Sequence, residues 1–339
     1  MNDLKRDSSS LIKKPFRFLS NWRSLPPYEL ISYILMYASV PMLVYGIKTY
    51  DWEIFKVIIL TIIALYSGFF ATLIWNDITD ADIDALAHPD RPIPGGRISS
   101  KRFFIVALFF SATTFIFSYL VNIWCLALVG AAALFVAIHN KYLKKIIKIP
   151  AYSEIFTPIQ WVVVAVFGFF AIWSTLPQSN DITLSMPIFG DVISTSSSEI
   201  QTMIILVIFI YFSDVAHDLP EGIHDMKGDL KSGVKTYATT FGEKKTIKIS
   251  FTMYIISGIL GILLFIKTIL SPIFLILFLI LWIYMIIYSF RLLKAPKEKR
   301  IEFSSVVGRK GFDYFLFVFN LIFLDILIQL FLNYYNISI

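Results

Sequence analysis

Nine times along these 339 residues the chain runs apolar for about the length of a bilayer core, and this repetition restricts the fold more than any other feature. The runs cover about 28–47, 54–76, 103–121, 123–139, 153–173, 201–217, 248–266, 270–290 and 312–335. Roughly 17–25 apolar residues in a helix cross the hydrocarbon. The apolar/polar alternation of a transmembrane barrel strand is absent. In lipid every backbone N–H and C=O must be satisfied within the protein, so helices are the remaining solution. Composition agrees: 57% of positions are hydrophobic and 16% charged, against about 45–50% and about 25% in soluble domains. The expected fold class is all-α: a polytopic membrane protein whose nine transmembrane helices form a bundle around a central cavity over residues 28–339, behind a basic tail at 1–27. That tail lacks the apolar core of a cleavable secretory signal.

Charge sorts the breaks between the runs. With the amino terminus on the cytosolic side, 27 of the 30 Lys and Arg fall on inward segments, and Lys48, Lys56 and Lys267 alone fall outward. Eight or ten spans would scramble this positive-inside pattern. The net charge of +6 is therefore a topology signal. The basic residues are dispersed over loops rather than gathered on one soluble face, so no nucleic-acid partner is expected. The single cysteine, Cys125, excludes an intrachain disulfide and a cysteine metal cluster; as a small hydrophobe it is expected in the core.

Two acidic clusters break the apolar pattern. "NDITDADID" places Asp77, Asp80 and Asp84 three and four residues apart, so a helix continued through them presents all three on one face. "SDVAHDLPEGIHDMKGD" places Asp218, Asp225 and Asp229 seven and four apart, again on one helical face. Like charges so arranged need a basic partner or a metal cation. Facing carboxylates suit a hard divalent ion, and Mg²⁺ in particular is held by one or two carboxylates together with substrate phosphate oxygens. Arg91, Arg97, Lys101, Lys144, Lys231 and Lys235 surround the two clusters in sequence. Metal and cations beside an oily core fit a substrate with a diphosphate head and an apolar tail. Prenyl diphosphates have that shape.

These motifs resemble those of the UbiA superfamily of intramembrane prenyltransferases. "NDITDADID" is similar to its NDxxDxxxD pattern and "DMKGD" to its DxxxD pattern; "HPDRPIPGGRIS" and "GIHDMKGDLKSGVKTYATTFG" extend the likeness, closest in flavour to members that make digeranylgeranylglyceryl phosphate. The resemblance implies that Asp77, Asp80 and Asp84 hold one Mg²⁺, that Asp225 and Asp229 hold a second, and that both meet the substrate diphosphate. Asn76 would orient that site, and Asp218 falls where relatives often carry glutamate. Asn140 and Lys144 in "IHNKYLKK" resemble the YxxxK element, with Asn in place of Tyr. Arg91, Arg97, Lys101 and Lys235 complete the expected substrate-binding set.

The implied activity is Mg²⁺-dependent transfer of a polyprenyl group to a lipophilic acceptor. A terpene cyclase of the same family is the first alternative, since the first span lacks an RxxN-like element. A transporter is the second, weakened because the acids sit at span ends and not at the midplane. Asp82, Asp90, His88, His139, His217 and His224 are expected to be structural or surface residues, with His217 and His224 near enough to the second cluster to influence it. Asp214 is expected either to join the site or to cap a span. With no transit-like presequence, the expected location is a prokaryotic plasma membrane, with the site facing the cytosol.

Overall fold

The structure, a computed structural model, describes residues 25–46, 50–87, 89, 91–143, 146, 149–156, 158–173, 182–185 and 192–335. The tail over 1–24, Lys144, His88 and Asp90 lie outside the described residues.

Among the described residues eight helices are long and apolar enough to cross a membrane, and a shorter apolar helix covers Ile123–Ile138. In chain order they begin with α1 (Pro27–Tyr45), α2 (Trp52–Thr79), the short α3 (Ala81–Ala87), α4 (Ser100–Val121) and α5 (Ile123–Ile138). The chain continues through α6 (Tyr152–Phe156), α7 (Ile159–Trp173), α8 (Ser197–Ser232), α9 (Tyr237–Phe241), α10 (Glu243–Lys267), α11 (Pro272–Lys294) and α12 (Lys297–Tyr334). Strands Ile182–Ser185 (β1) and Val192–Thr195 (β2) form an antiparallel hairpin in the longest predicted outward loop, a small addition to an otherwise helical chain.

Four boundaries differ from expectation, each for a local reason. The predicted span 153–173 is divided into α6 and α7 at Pro158, whose carbonyl accepts from Trp161 and Val162 N–H (3.0 and 2.9 Å) and so starts α7. Helix α5 has 16 residues but passes directly into a π-helical turn, His139–Leu143, which extends the helical segment. Helix α8 does not stop near residue 217. It starts at a reciprocal capping box between Ser196 and Glu199 and runs through Pro220 to Gly233, whose left-handed φ of 72° ends it. Helix α12 begins 15 residues before the expected span at 312 because the charged segment from Lys297 is itself helical.

Helices α1, α7, α8 and α12 build the interior: α8 packs on α10 and α12, while α1 packs on α12, α7 and α2. Helices α4 and α11 are peripheral, with Phe109 and Ile280 exposed at 65% and 60%. Apolar surface on this scale belongs against lipid; the chain is an integral membrane protein. Close helix approach uses small residues: Gly258 faces Trp282, Gly261 faces Phe278, and Gly311 faces Tyr254 and His217. Polar links join the same helices, with Ser213 Oγ 2.7 Å from Ser257 Oγ and the latter 3.1 Å from Tyr314 Oη. Cys125 is buried, as expected of a packed hydrophobe.

Candidate active site

Helix α2 carries the first acidic motif at its carboxyl end. It does not continue unbroken through Asp84, as the one-face argument assumed; it ends at Thr79 with Asp80 as the cap. The pitch survives the break, because Asp80 N–H donates to the Asn76 carbonyl (2.9 Å) and Asp84 N–H to the Asp80 carbonyl (2.8 Å). Asp77 and Asp84 are buried, at 1% and 4% exposure. Of the two compensations open to this cluster, Asp84 has the basic one: Arg91 Nη1 lies 2.8 Å from both of its oxygens. Arg91 is placed by the turn after it, in which Arg97 and Ile98 N–H both donate to the Pro92 carbonyl (3.0 and 3.2 Å) and Gly96 takes a left-handed φ of 68°. Arg97 itself is exposed, as is Lys101 in the first turn of α4.

The second motif occupies the last turns of α8, where Asp225 and His224 are exposed and Asp229 is half-buried; Lys231 and Lys235 are exposed nearby. Both motifs lie at one end of the bundle. Helices α2 and α4 run antiparallel, with Trp75 Nε1 donating to Ser111 Oγ (3.0 Å), and the α4–α5 turn meets the end of α7 through Asn122 Nδ2 and the Phe170 carbonyl (2.7 Å). Helix α8 then returns from that far end. Asn140 lies in the π-helical turn, which packs against α2.

Sequence reasoning missed Glu154 in α6. Its Oε1 accepts from Tyr237 N–H at 2.9 Å, its side chain lies against Gly222, and it is near enough to Asp218 and Asp229 to act on them electrostatically. The available signal was an acid at the start of an apolar run. Deeper in α8, Asp214, His217 and Asp218 offer ligand atoms all within 4.8 Å of one another. His217 Nε2 is 3.1 Å from Asp214 Oδ1 and Nδ1 is 3.5 Å from Asp218 Oδ1. His217 was expected to be structural and Asp214 to be a helix cap or a site member; the helix runs on past Asp214, so capping is ruled out. An aromatic wall adjoins: Phe312 stands 5.1 Å from His217 and 6.4 Å from Tyr33, which faces Trp161 at 5.9 Å.

Asp77 is withdrawn from solvent and the buried Glu154 Oε2 makes no hydrogen bond within the chain, but among the described residues the carboxylates of the two motifs are not gathered closely enough for three of them to share one ion, whereas Asp214, His217 and Asp218 are. A model of the UbiA prenyltransferase family matches residues 34–317. The chain belongs to the UbiA prenyltransferase family. It is 27% identical over 192 residues to digeranylgeranylglyceryl phosphate synthase of Sulfolobus acidocaldarius, covering 56% of this chain and 57% of that one. Against the synthase of the same name from Sulfurisphaera tokodaii it is 27% identical over 209 residues, covering 61% and 66%. The chain thus spans less than two thirds of either relative. Among solved structures, a UbiA homolog from Aeropyrum pernix K1 superposes with a TM-score of 0.66 at 17% identity, over 90% of this chain and 99% of that one. An Archaeoglobus fulgidus UbiA homolog bound to DMAPP and Mg²⁺ superposes at 0.50 with 17% identity, over 87% and 96%. These superpositions establish the shared fold of this family member.

Proposed function

We propose that this chain transfers a polyprenyl group from a prenyl diphosphate to a lipophilic acceptor within the membrane, with Mg²⁺ as cofactor. The observation that carries the reading is a buried acidic motif at the end of α2 and a second at the same end of α8, in a chain matched to the family over 34–317. Asp77, Asp80 and Asp84 would hold one ion and Asp225 and Asp229 a second, supplying charge neutralisation to the departing diphosphate. Arg91, Arg97, Lys101, Lys144 and Lys235 gather diphosphate oxygens, with Asn76 and Asn140 orienting the head group; Asp218, expected to join them, lies about 10 Å along α8 from Asp225, beside His217. Tyr33, Trp161 and Phe312 offer π faces to an allylic cation and keep out water that would quench it. On this reading the chain crosses nine times, counting α5 with its π-helical turn, with this end in the cytosol of a prokaryotic plasma membrane, which the positive-inside charge sorting supports.

The names of the relatives support a glyceryl ether lipid as the first acceptor to try. Purified protein is incubated with Mg²⁺, radiolabelled prenyl diphosphates of several lengths, and acceptors that include a glyceryl phosphate ether, an aromatic acid and none. Labelled adduct that depends on acceptor is expected, with Asp77→Ala and Asp225→Ala inserting in the membrane but losing turnover by orders of magnitude. Wild-type activity in both variants overturns the site assignment. A labelled hydrocarbon formed without acceptor would make the chain a cyclase instead.

A further inference from the structure

Asp225 and Asp229 account for the carboxylates at the mouth end of α8, but not for the buried Asp214 and His217, which with Asp218 form a trio deeper in the helix. Asp214, His217 and Asp218 sit at positions i, i+3 and i+4, on one helix face. Asp225 lies seven residues farther on, about 10 Å along the axis, so one ion cannot serve both places.

Two features give this trio the character of a built site. The first is composition: an imidazole nitrogen stands among carboxylate oxygens, whereas the ligands proposed for Mg²⁺, Asp77, Asp80, Asp84, Asp225 and Asp229, are carboxylates alone. Ligands bonded at about 2.0–2.2 Å to one ion lie at most about 4.4 Å apart. The trio's ligand atoms, all within 4.8 Å of one another, stand close to that limit. The second is unspent bonding capacity. Asp214 and His217 are buried, at 1% and 4% exposure, yet Asp214 Oδ2 and His217 Nδ1 make no hydrogen bond within the chain. Buried polar atoms are normally paired, and a bound cation would satisfy these. The charges acting most strongly on Asp218 are Asp214, His217, Glu221 and Glu154, three carboxylates against one imidazole.

We propose that Asp214, His217 and Asp218 bind a first-row divalent transition ion, of the Mn²⁺ or Zn²⁺ class, at a site separate from the Mg²⁺ ions of the diphosphate. A mixed imidazole and carboxylate set selects such an ion over Mg²⁺, which favours oxygen ligands alone. Glu221 and Glu154 lie close enough to steady the ligands from outside the coordination shell. The assignment stands whether or not the chain transfers a prenyl group.

The test is electron spin echo envelope modulation of Mn²⁺ bound to the full chain in detergent, with Mg²⁺ in large excess to fill oxygen-only sites. One Mn²⁺ per chain with ¹⁴N modulation from a ligated imidazole is expected. The modulation persists in Asp225→Asn and His224→Ala and is lost in His217→Ala, and the bound Mn²⁺ is lost in Asp214→Asn. Thermal unfolding confirms that each variant is folded; His217→Gln replaces His217→Ala if the latter is not. No nitrogen modulation in the wild type, modulation that survives loss of His217, or Mn²⁺ that follows Asp225 rather than Asp214 overturns the proposal. Prenyl transfer, measured on the same samples, reports separately on the diphosphate site.

Discussion

Glu154 Oε1 accepts the backbone N–H of Tyr237 at 2.9 Å, tying the short helix α6 to the start of α9 across 83 residues of chain. This bond fixes the connection after α8, which carries Lys235, against the turn of α8 at Gly222. Glu154→Ala leaves a partly buried donor unpaired, a loss of about 1–3 kcal/mol, whereas Glu154→Gln keeps an acceptor oxygen. Thermal unfolding in detergent is expected to show a clear drop for the first and a smaller one for the second. Equal drops would mean that the charge, not the acceptor, matters.

Arg91 supplies the counter-charge of buried Asp84 and is also one of the cations proposed to gather diphosphate oxygens. Arg91→Ala should raise KM for the prenyl diphosphate about tenfold, equivalent to about 1.4 kcal/mol. The same change removes the residue that competes with Mg²⁺ for Asp84, so the Mg²⁺ concentration giving half-maximal turnover falls. Steady-state kinetics over both ligands separates the two effects. A rise in the Mg²⁺ requirement would show that Arg91 helps to seat the ion instead of competing with it.

Gly311 permits α12 to approach α8 and α10. A methyl group at this position would lie 2.7 Å from His217 Cβ and would also meet the Tyr254 hydroxyl. Gly311→Ala is therefore expected to destabilise the bundle by about 1–3 kcal/mol through overpacking. The measurement is the unfolding midpoint in detergent. Gly130→Ala, where an added Cβ meets nothing within 4 Å, serves as the neutral comparison.

At the opposite end of the bundle, Asp325 takes hydrogen bonds from Ser271 N–H (2.9 Å), the Ser271 hydroxyl and Gln329 Nε2 (2.7 Å), joining α12 to the start of α11. Asp325→Ala should cost about 1–3 kcal/mol of stability and leave kcat/KM unchanged in native membranes. A fall in kcat/KM with unaltered stability would show that this end of the bundle communicates with the chemistry.

Periodicity and length made the membrane helices legible because lipid leaves the backbone so few alternatives. The run at 54–76 became α2 and that at 248–266 became α10 with only their polar ends misjudged. The errors share a cause: hydropathy marks where hydrocarbon ends, not where a helix does. Charged residues from Gly222 to Ser232 and from Lys297 to Val307 are helical although no apolar run includes them. The acidic motifs stood out by their spacing, and Asp77 is buried. The pairing of Asp84 with Arg91 needed the turn around Pro92, and Glu154 needed a contact between distant segments. Neither leaves a mark in local sequence. His217 was passed over because a solitary histidine in an apolar stretch has no metal-ligand spacing until its neighbours at Asp214 and Asp218 are counted with it.

Helix α8 has 36 residues, about 54 Å at 1.5 Å per residue, against a hydrocarbon layer of about 30 Å. Measured from its capped start at the hairpin end, Asp214 to Asp218 stand roughly 26–32 Å along the rod and Asp225 and Asp229 roughly 42–48 Å. A hydrocarbon layer of about 30 Å measured from that start reaches roughly to the trio, and the mouth carboxylates stand about 10 Å or more beyond it. Acyl-chain length in the host membrane becomes a mechanical setting for this protein: longer lipids raise the oil line toward the mouth, shorter ones let water climb toward His217.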